Sequence, residues 1–358
     1  VYQDGYGCTL VRDFTKEEIL DRPPLPYQSS IKQHPESYWP KGDKLPLISP
    51  KDVNYSILET AVNDAFALES PRMGSRAIIV VYKDQIVAEK YADGFSADTR
   101  FLSWSMAKSI TNALVGILVK EEKIDIYNPI MMPGWDKDER AAITWNDMMH
   151  MGSGLEWEED YGNESDVNVM LYKVGDFGSF TADKPYVAPP NTIYNYSSGS
   201  SNLVSLRMRD YFECDVAYYA FPYNKLFKEI DMNSVVFETD AAGTYVGSSY
   251  LYATARDFAR FGLLYLNDGY WLGKQILPKE WVDYSSTPAD ASGGEYAAYF
   301  YANESLDLPD VPNDTYYCRG HDGQRIYIVP SRDLLVVRLG YSKKGTFDFN
   351  LMMKEILA

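Results

Sequence analysis

From Phe101 to Ile126 a polar, serine-rich entry gives way to apolar positions at Met106, Ala107, Ile110, Leu114, Ile117 and Leu118. Spacings of three and four residues predict a helix whose apolar face is buried, so this run reads as a core helix. Upstream, Asp52 to Leu68 places Val53, Ile57, Ala61, Ala65 and Phe66 on one side and predicts an amphipathic helix. Ala77 to Ala92 gives two β-rich runs around Lys83-Asp84-Gln85, a hairpin signal.

After the core helix, residues 140 to 285 read as largely helical. SNLVSLRMRDYF, ATARDFARFGLLYLNDG and PKEWVDYSS lie in this stretch, the last two with helical apolar spacing and clear Gly or Pro stops. Strand character returns in QRIYIVP and LLVVRLG on either side of a turn at Ser331-Arg332-Asp333, and the chain closes with a helix from Phe347 to Leu357. Residues 1–51, rich in proline and polar groups, read as an extended arm. Strands at both ends with helices between them predict an α+β organisation: a sheet part from 52–125 and 286–358, with a mostly helical part, 126–285, inserted.

Composition narrows the classes. The chain has 358 residues, 46% of them hydrophobic and 24% charged, which supplies a sizeable core. Its formal net charge of -17 would repel phosphate backbones and anionic membranes, which argues against a nucleic-acid partner. No apolar stretch approaches the roughly 18 residues of a membrane span. A first residue that is Val rather than Met fits an exported, processed product or a trimmed chain. Three scattered cysteines, Cys8, Cys214 and Cys318, allow one long-range disulfide and do not suggest a zinc site; His34, His150 and His321 form no metal-ligand pattern, so neither metal nor other cofactor is expected.

The candidate chemistry begins with Ser105 and Lys108, which one helical turn brings to the same face. A serine hydroxyl needs a base, and a lysine desolvated in an apolar run loses its proton well below its ordinary pKa of about 10.4. The helix N-terminus adds free N–H groups suited to developing negative charge. Ser-x-x-Lys also occurs at Ser29 to Lys32, but in a polar, proline-flanked stretch. Two more stretches carry chemistry. Tyr196-Ser197-Ser198-Gly199 stands in a small-residue loop before a helix, where a tyrosine near a lysine can be kept partly ionised and relay protons. His321-Asp322-Gly323 opens a strand, its glycine allowing close approach of a substrate.

Taken together, these three ordered motifs resemble the serine β-lactamase and penicillin-binding superfamily, nearest its class C β-lactamase-like branch with family VIII carboxylesterases and 6-aminohexanoate-dimer hydrolases. Ser105-Met-Ala-Lys108 stands as Ser-x-x-Lys, Tyr196-Ser-Ser198 as the tyrosine motif, and His321-Asp-Gly323 where Lys-Thr-Gly lies. The resemblance spans about residues 55–358. It implies an antiparallel sheet flanked by terminal helices, a helical part, and a site in the groove between them. It implies Ser105 as acylated nucleophile, Lys108 and Tyr196 sharing acid and base work, and an oxyanion hole made by the backbone N–H groups of Ser105 and Gln324. His321, Gly323 and Ser198 would contact substrate. Tyr161, in the loop EEDYGNES, either overhangs the groove and touches substrate or is a surface tyrosine among the chain's 30. Asp160 and the neighbouring glutamates read as a solvated acidic loop, and Trp104 as core packing.

Ser198 replaces an asparagine of the β-lactamases and His321 a lysine, which weakens the case for β-lactam turnover and leaves simple esters and short linear amides as acyl donors. D-amino acid peptidase action or weak penicillin binding is the alternative within the superfamily, and an idle ligand-binding module is the non-enzymatic one. A Ser-His-Asp hydrolase is disfavoured because the chain has no Gly-x-Ser-x-Gly elbow.

Overall fold

The hairpin expected at Ala77 to Ala92 lies at one side of a six-stranded sheet that joins the two ends of the chain. The computed structural model describes residues 1–25, 29, 36–45, 50–67 and 73–358; Lys32, His34 and Leu68 fall outside these. Strand order is Tyr301–Ala302, Tyr316–Gly320, Gln324–Val329, Leu334–Tyr341, Gly74–Tyr82, Gln85–Tyr91, and every pairing is antiparallel. N- and C-terminal parts meet where Val336 opposes Val80 and Val337 opposes Ile79. Lys83 and Asp84 close the hairpin with φ of 49° and 60°, the left-handed pair that matches the twist of a two-residue turn.

Both faces of this sheet are covered, which is why its central strands read as nearly unbroken apolar runs. On one face Ile78, Val80, Tyr327 and Val336 pack with the terminal helices Tyr55–Ala67 and Phe349–Leu357. On the other, Ile79, Val81, Ile326, Leu335 and Val337 join the core built around the Met106–Lys120 and Ala255–Leu266 helices. Leu335 Cδ1 would lie 2.3 Å from a Cβ at position 262, so Gly262 lets the second of these helices seat against the sheet. This is the antiparallel sheet with terminal helices that the sequence predicts.

Elsewhere the structure departs from the sequence reading. The middle of the chain, read as mostly helical, also contributes strands: Leu251–Thr254 lies between Arg100–Leu102 and Val236–Phe237 in a small sheet. The Ala255–Leu266 helix, read as part of the inserted helical segment, packs on the main sheet. His321–Gly323 does not open a strand. It is a short 3-10 turn joining Tyr316–Gly320 to Gln324–Val329. The terminal arm braces the body: Arg22 donates to the carbonyls of Asp240 (2.7 Å) and Ala241 (3.1 Å), and the Cys8 amide donates to Glu238. All three cysteines are unpaired, so no long-range disulfide forms. Among the described residues no helix is long and apolar enough to cross a membrane.

Candidate active site

The small sheet sets the entry to the central helix. Ser103 N–H donates to Leu251 O at 2.8 Å, and Trp104 then turns the chain with φ of 46°, a left-handed conformation that costs a bulky residue roughly 1 kcal/mol or more. The helix begins at once: Met106 N–H reaches Ser103 O, and Ala107 N–H reaches Trp104 O. Ser105 occupies the N-cap position, half-buried, and its own N–H has no backbone acceptor among the described residues. One turn on, Lys108 is 1% exposed.

Lys108 Nζ lies 3.2 Å from Ser105 Oγ, 3.0 Å from Ser198 Oγ and 3.2 Å from Ser248 O. Three acceptors suit an ammonium with three N–H bonds. In the neutral amine, Ser198 and Ser248 can keep the two remaining hydrogens, which turns the lone pair to Ser105. Burial, opposed by the negative charge of Glu159, pushes the Lys108 pKa down to about 8. The ammonium also sits 4.8 Å from the centre of the Tyr196 ring.

Tyr196 precedes the Ser198–Arg209 helix, whose N-cap Ser197 accepts from Ser200 N–H. Burial, with Tyr301 and Glu159 adding to it, holds its phenol well above its ordinary pKa, and the Ser105 hydroxyl beside it opposes that shift only in part. This departs from the sequence expectation of a partly ionised tyrosine: desolvation outweighs whatever the lysine supplies, and the phenol is an acid at rest. Tyr194, the other tyrosine of this stretch, instead packs on Tyr296, with ring centres 5.5 Å apart.

Ser198, expected to face substrate, is engaged from both sides. It accepts from Lys108 and donates to Glu159 Oε1, while its N–H donates to Glu159 Oε2 at 2.9 Å. Glu159 also accepts from Trp157 Nε1 at 2.5 Å and Tyr161 OH at 3.1 Å. Glu158 and Asp160 are exposed, as a solvated acidic loop requires, but Glu159 between them turns inward. The sequence signal was weak: only the flanking Trp157 and Tyr161 mark one side of WEEDY as facing the body.

Tyr161 is half-buried, with its ring centre 5.0 Å from that of His321, and Trp104 approaches the same imidazole at 5.6 Å. Trp104 is therefore part of the wall beside the nucleophile rather than core packing. His321 is 45% exposed and its Nε2 lies 3.2 Å from Asp322 Oδ1. Gly323 answers a local need: with φ of 88°, a Cβ there would meet Arg338 Nη1 at 2.5 Å, and its carbonyl accepts from that guanidinium. Gln324 N–H closes the turn onto His321 O, so it does not supply a free oxyanion donor. Gly320, whose added Cβ would stand 2.3 Å from Ser103 O, holds the turn against the entry to the nucleophile helix.

Ser105, Lys108, Tyr196 and Ser198 are thus gathered in one cluster, with Tyr161 and His321 in contact beside it. A sheet built from both chain ends and a serine-lysine-tyrosine cluster at a buried helix start is the architecture of an acyl-transferring hydrolase fold. The β-lactamase family model matches residues 65–355, and the chain belongs to that family. It is 23% identical over 364 residues to a 6-aminohexanoate-dimer hydrolase of Paenarthrobacter ureafaciens, with 88% of each chain covered. A Bacillus anthracis structure assigned as a 6-aminohexanoate-dimer hydrolase superposes with a TM-score of 0.70 at 20% identity, covering 91% of this chain and 88% of that one. A D-stereospecific amidohydrolase from Streptomyces sp. gives 0.61 at 13% identity, over 84% and 98%.

Proposed function

We propose that this chain is a serine hydrolase that cleaves esters or short linear amides through an acyl-enzyme on Ser105. The observation that carries the reading is the 3.2 Å contact between Ser105 Oγ and a fully buried lysine whose pKa is pushed down to about 8. Such an amine is neutral often enough near neutral pH to act as a base. In acylation, Ser105 Oγ attacks the substrate carbonyl carbon as its proton passes to Lys108 Nζ. The Tyr196 phenol, next to the Ser105 hydroxyl, then donates to the departing oxygen or nitrogen and is reprotonated from Lys108. Water enters by the reverse path and releases the acid. The Ser105 N–H is one oxyanion donor. The second passes from Gln324 to the amide of His321, the first residue of the turn, which Gly320 holds beside Ser103.

Ser198 positions Lys108 by accepting from its Nζ, and Glu159 holds Ser198 in turn. Trp104, His321 and Tyr161 form a wall that would contact the acyl or leaving group. The P. ureafaciens relative's name supports a linear amide as one substrate class. Hydrolysis of a short p-nitrophenyl ester and of the 6-aminohexanoate dimer tests the reading; turnover of neither by the folded protein contradicts it.

The pH profile follows from the lysine. Below about pH 8 Lys108 is an ammonium and cannot take the serine proton, so kcat/KM should rise about tenfold per unit below that value and level above it. Glu159→Gln removes the charge that raises the Lys108 pKa, and the acid limb should move to lower pH. Rates against pH for both proteins check this; an unmoved limb would separate Glu159 from the base.

A further inference from the structure

Outside the cluster around Ser105, the least expected feature is a row of cations on one face of the sheet. Arg319 directly opposes Arg325 across one strand pair, and Arg325 opposes Arg338 across the next. Like charges directly opposite one another destabilise a sheet, and this chain has a net charge of -17 with acidic groups to spare. Yet neither Arg319 nor Arg325 has a carboxylate within ion-pair distance among the described residues. Arg338 is held by Ser75 Oγ, Gly323 O and Ser342 Oγ. Arg325, 7% exposed, donates through Nη1 to Gly320 O and Gln324 O, and its guanidinium stacks on Phe349 at 4.4 Å. Among the described residues, the Arg319 guanidinium makes only a ring contact, 5.0 Å from the centre of Tyr301.

Both arginines line a cavity of about 480 Å³ at the start of the Phe349–Leu357 helix, walled by Tyr317, Tyr327, Phe347 and Phe349. Asp307 and Asp348 also line it, but neither pairs with the arginines, and Asp348 is occupied in capping Leu351 N–H. Arg325 is buried and Arg319 half-buried, and taking a guanidinium out of water without a counter-charge is costly, more so with a second one facing it. An anion between them removes both penalties. Guanidinium forks match a carboxylate in bidentate geometry, and four aromatic side chains suit a hydrocarbon attached to it better than they suit a bare inorganic ion.

We propose that the Arg319–Arg325 cavity binds the carboxylate end of a small amphiphilic acid. It stands close to the chemistry without sharing its residues: Arg319 lies over Tyr301, whose ring centre is 6.1 Å from that of Tyr196. The site holds whether or not Ser105 is a nucleophile, because its recognition is made by different side chains.

The test is calorimetric titration of hexanoate, hexanol and inorganic phosphate into Ser105→Ala protein, in which no turnover can interfere, alone and combined with Arg319→Met or Arg319→Lys. Hexanoate should bind and hexanol should not. Arg319→Met should weaken hexanoate at least tenfold without unfolding the protein, and Arg319→Lys, which keeps the charge but loses the fork, by a smaller factor. Unchanged affinity in both arginine variants, equal binding of hexanol, or phosphate binding more tightly than hexanoate would overturn the proposal.

Discussion

Ser105→Ala should lower turnover of any accepted ester or amide by roughly 10⁴-fold or more and leave the melting temperature close to that of the wild type. The expected loss is large because the hydroxyl is the atom that bonds to the acyl group; without it only binding and the oxyanion donors remain to help a water attack. The expected change in stability is small because Ser105 is half-buried, sits at a helix start without capping it, and contributes one contact to a lysine that keeps Ser198 and Ser248 O. Steady-state rates and a thermal melt check both halves. Rates within a few-fold of wild type would remove Ser105 from the mechanism.

The second large effect concerns the base. Lys108→Met should reduce kcat/KM by roughly 10³-fold or more, and Tyr196→Phe by about 10²-fold, within the range expected for loss of one positioned acid or base. Both groups act on the same hydroxyl: Lys108 lies 3.2 Å from it, and the Tyr196 phenol is close enough to feel it. A proton that travels through both cannot be lost twice, so the double variant should fall little further than Lys108→Met alone. Simple multiplication of the two losses would mean that they act on separate steps. The Lys108→Met profile should also lose its acid limb near pH 8, because the group whose protonation shapes that limb has been removed.

Much of this was legible from residue spacing. Apolar recurrence from Met106 to Leu118 fixed the central helix, and an amine inside that run announced a site, since an unpaired ammonium is not tolerated there without a reason. The terminal hairpin and the closing helix showed equally well, because their patterns are local. What escaped depends on pairing between distant segments. The strand Tyr316–Gly320 carries no clear alternation of its own, so the facing of Arg319 and Arg325 could not be seen until the register was known. Gln324 was expected to face the nucleophile, but Asp322 at φ of 57° tightens the turn and directs that amide onto His321 O. Glu159 looked like one more charge in an acidic loop; only folding brings the start of the Ser198–Arg209 helix to it and makes its carboxylate the acceptor for Ser198. Tyr196, by contrast, was found by its motif, while its protonation state needed the packing that desolvates it.

The most direct test of the central claim is the intact mass of the protein quenched within the first turnovers of a short p-nitrophenyl ester, followed by peptide mapping. The account predicts a gain equal to the acyl group, located on the peptide containing Ser105, absent from Ser105→Ala and accumulating further where deacylation is slowed. Turnover without any adduct under those conditions, or an adduct on another residue that persists in Ser105→Ala, would contradict it.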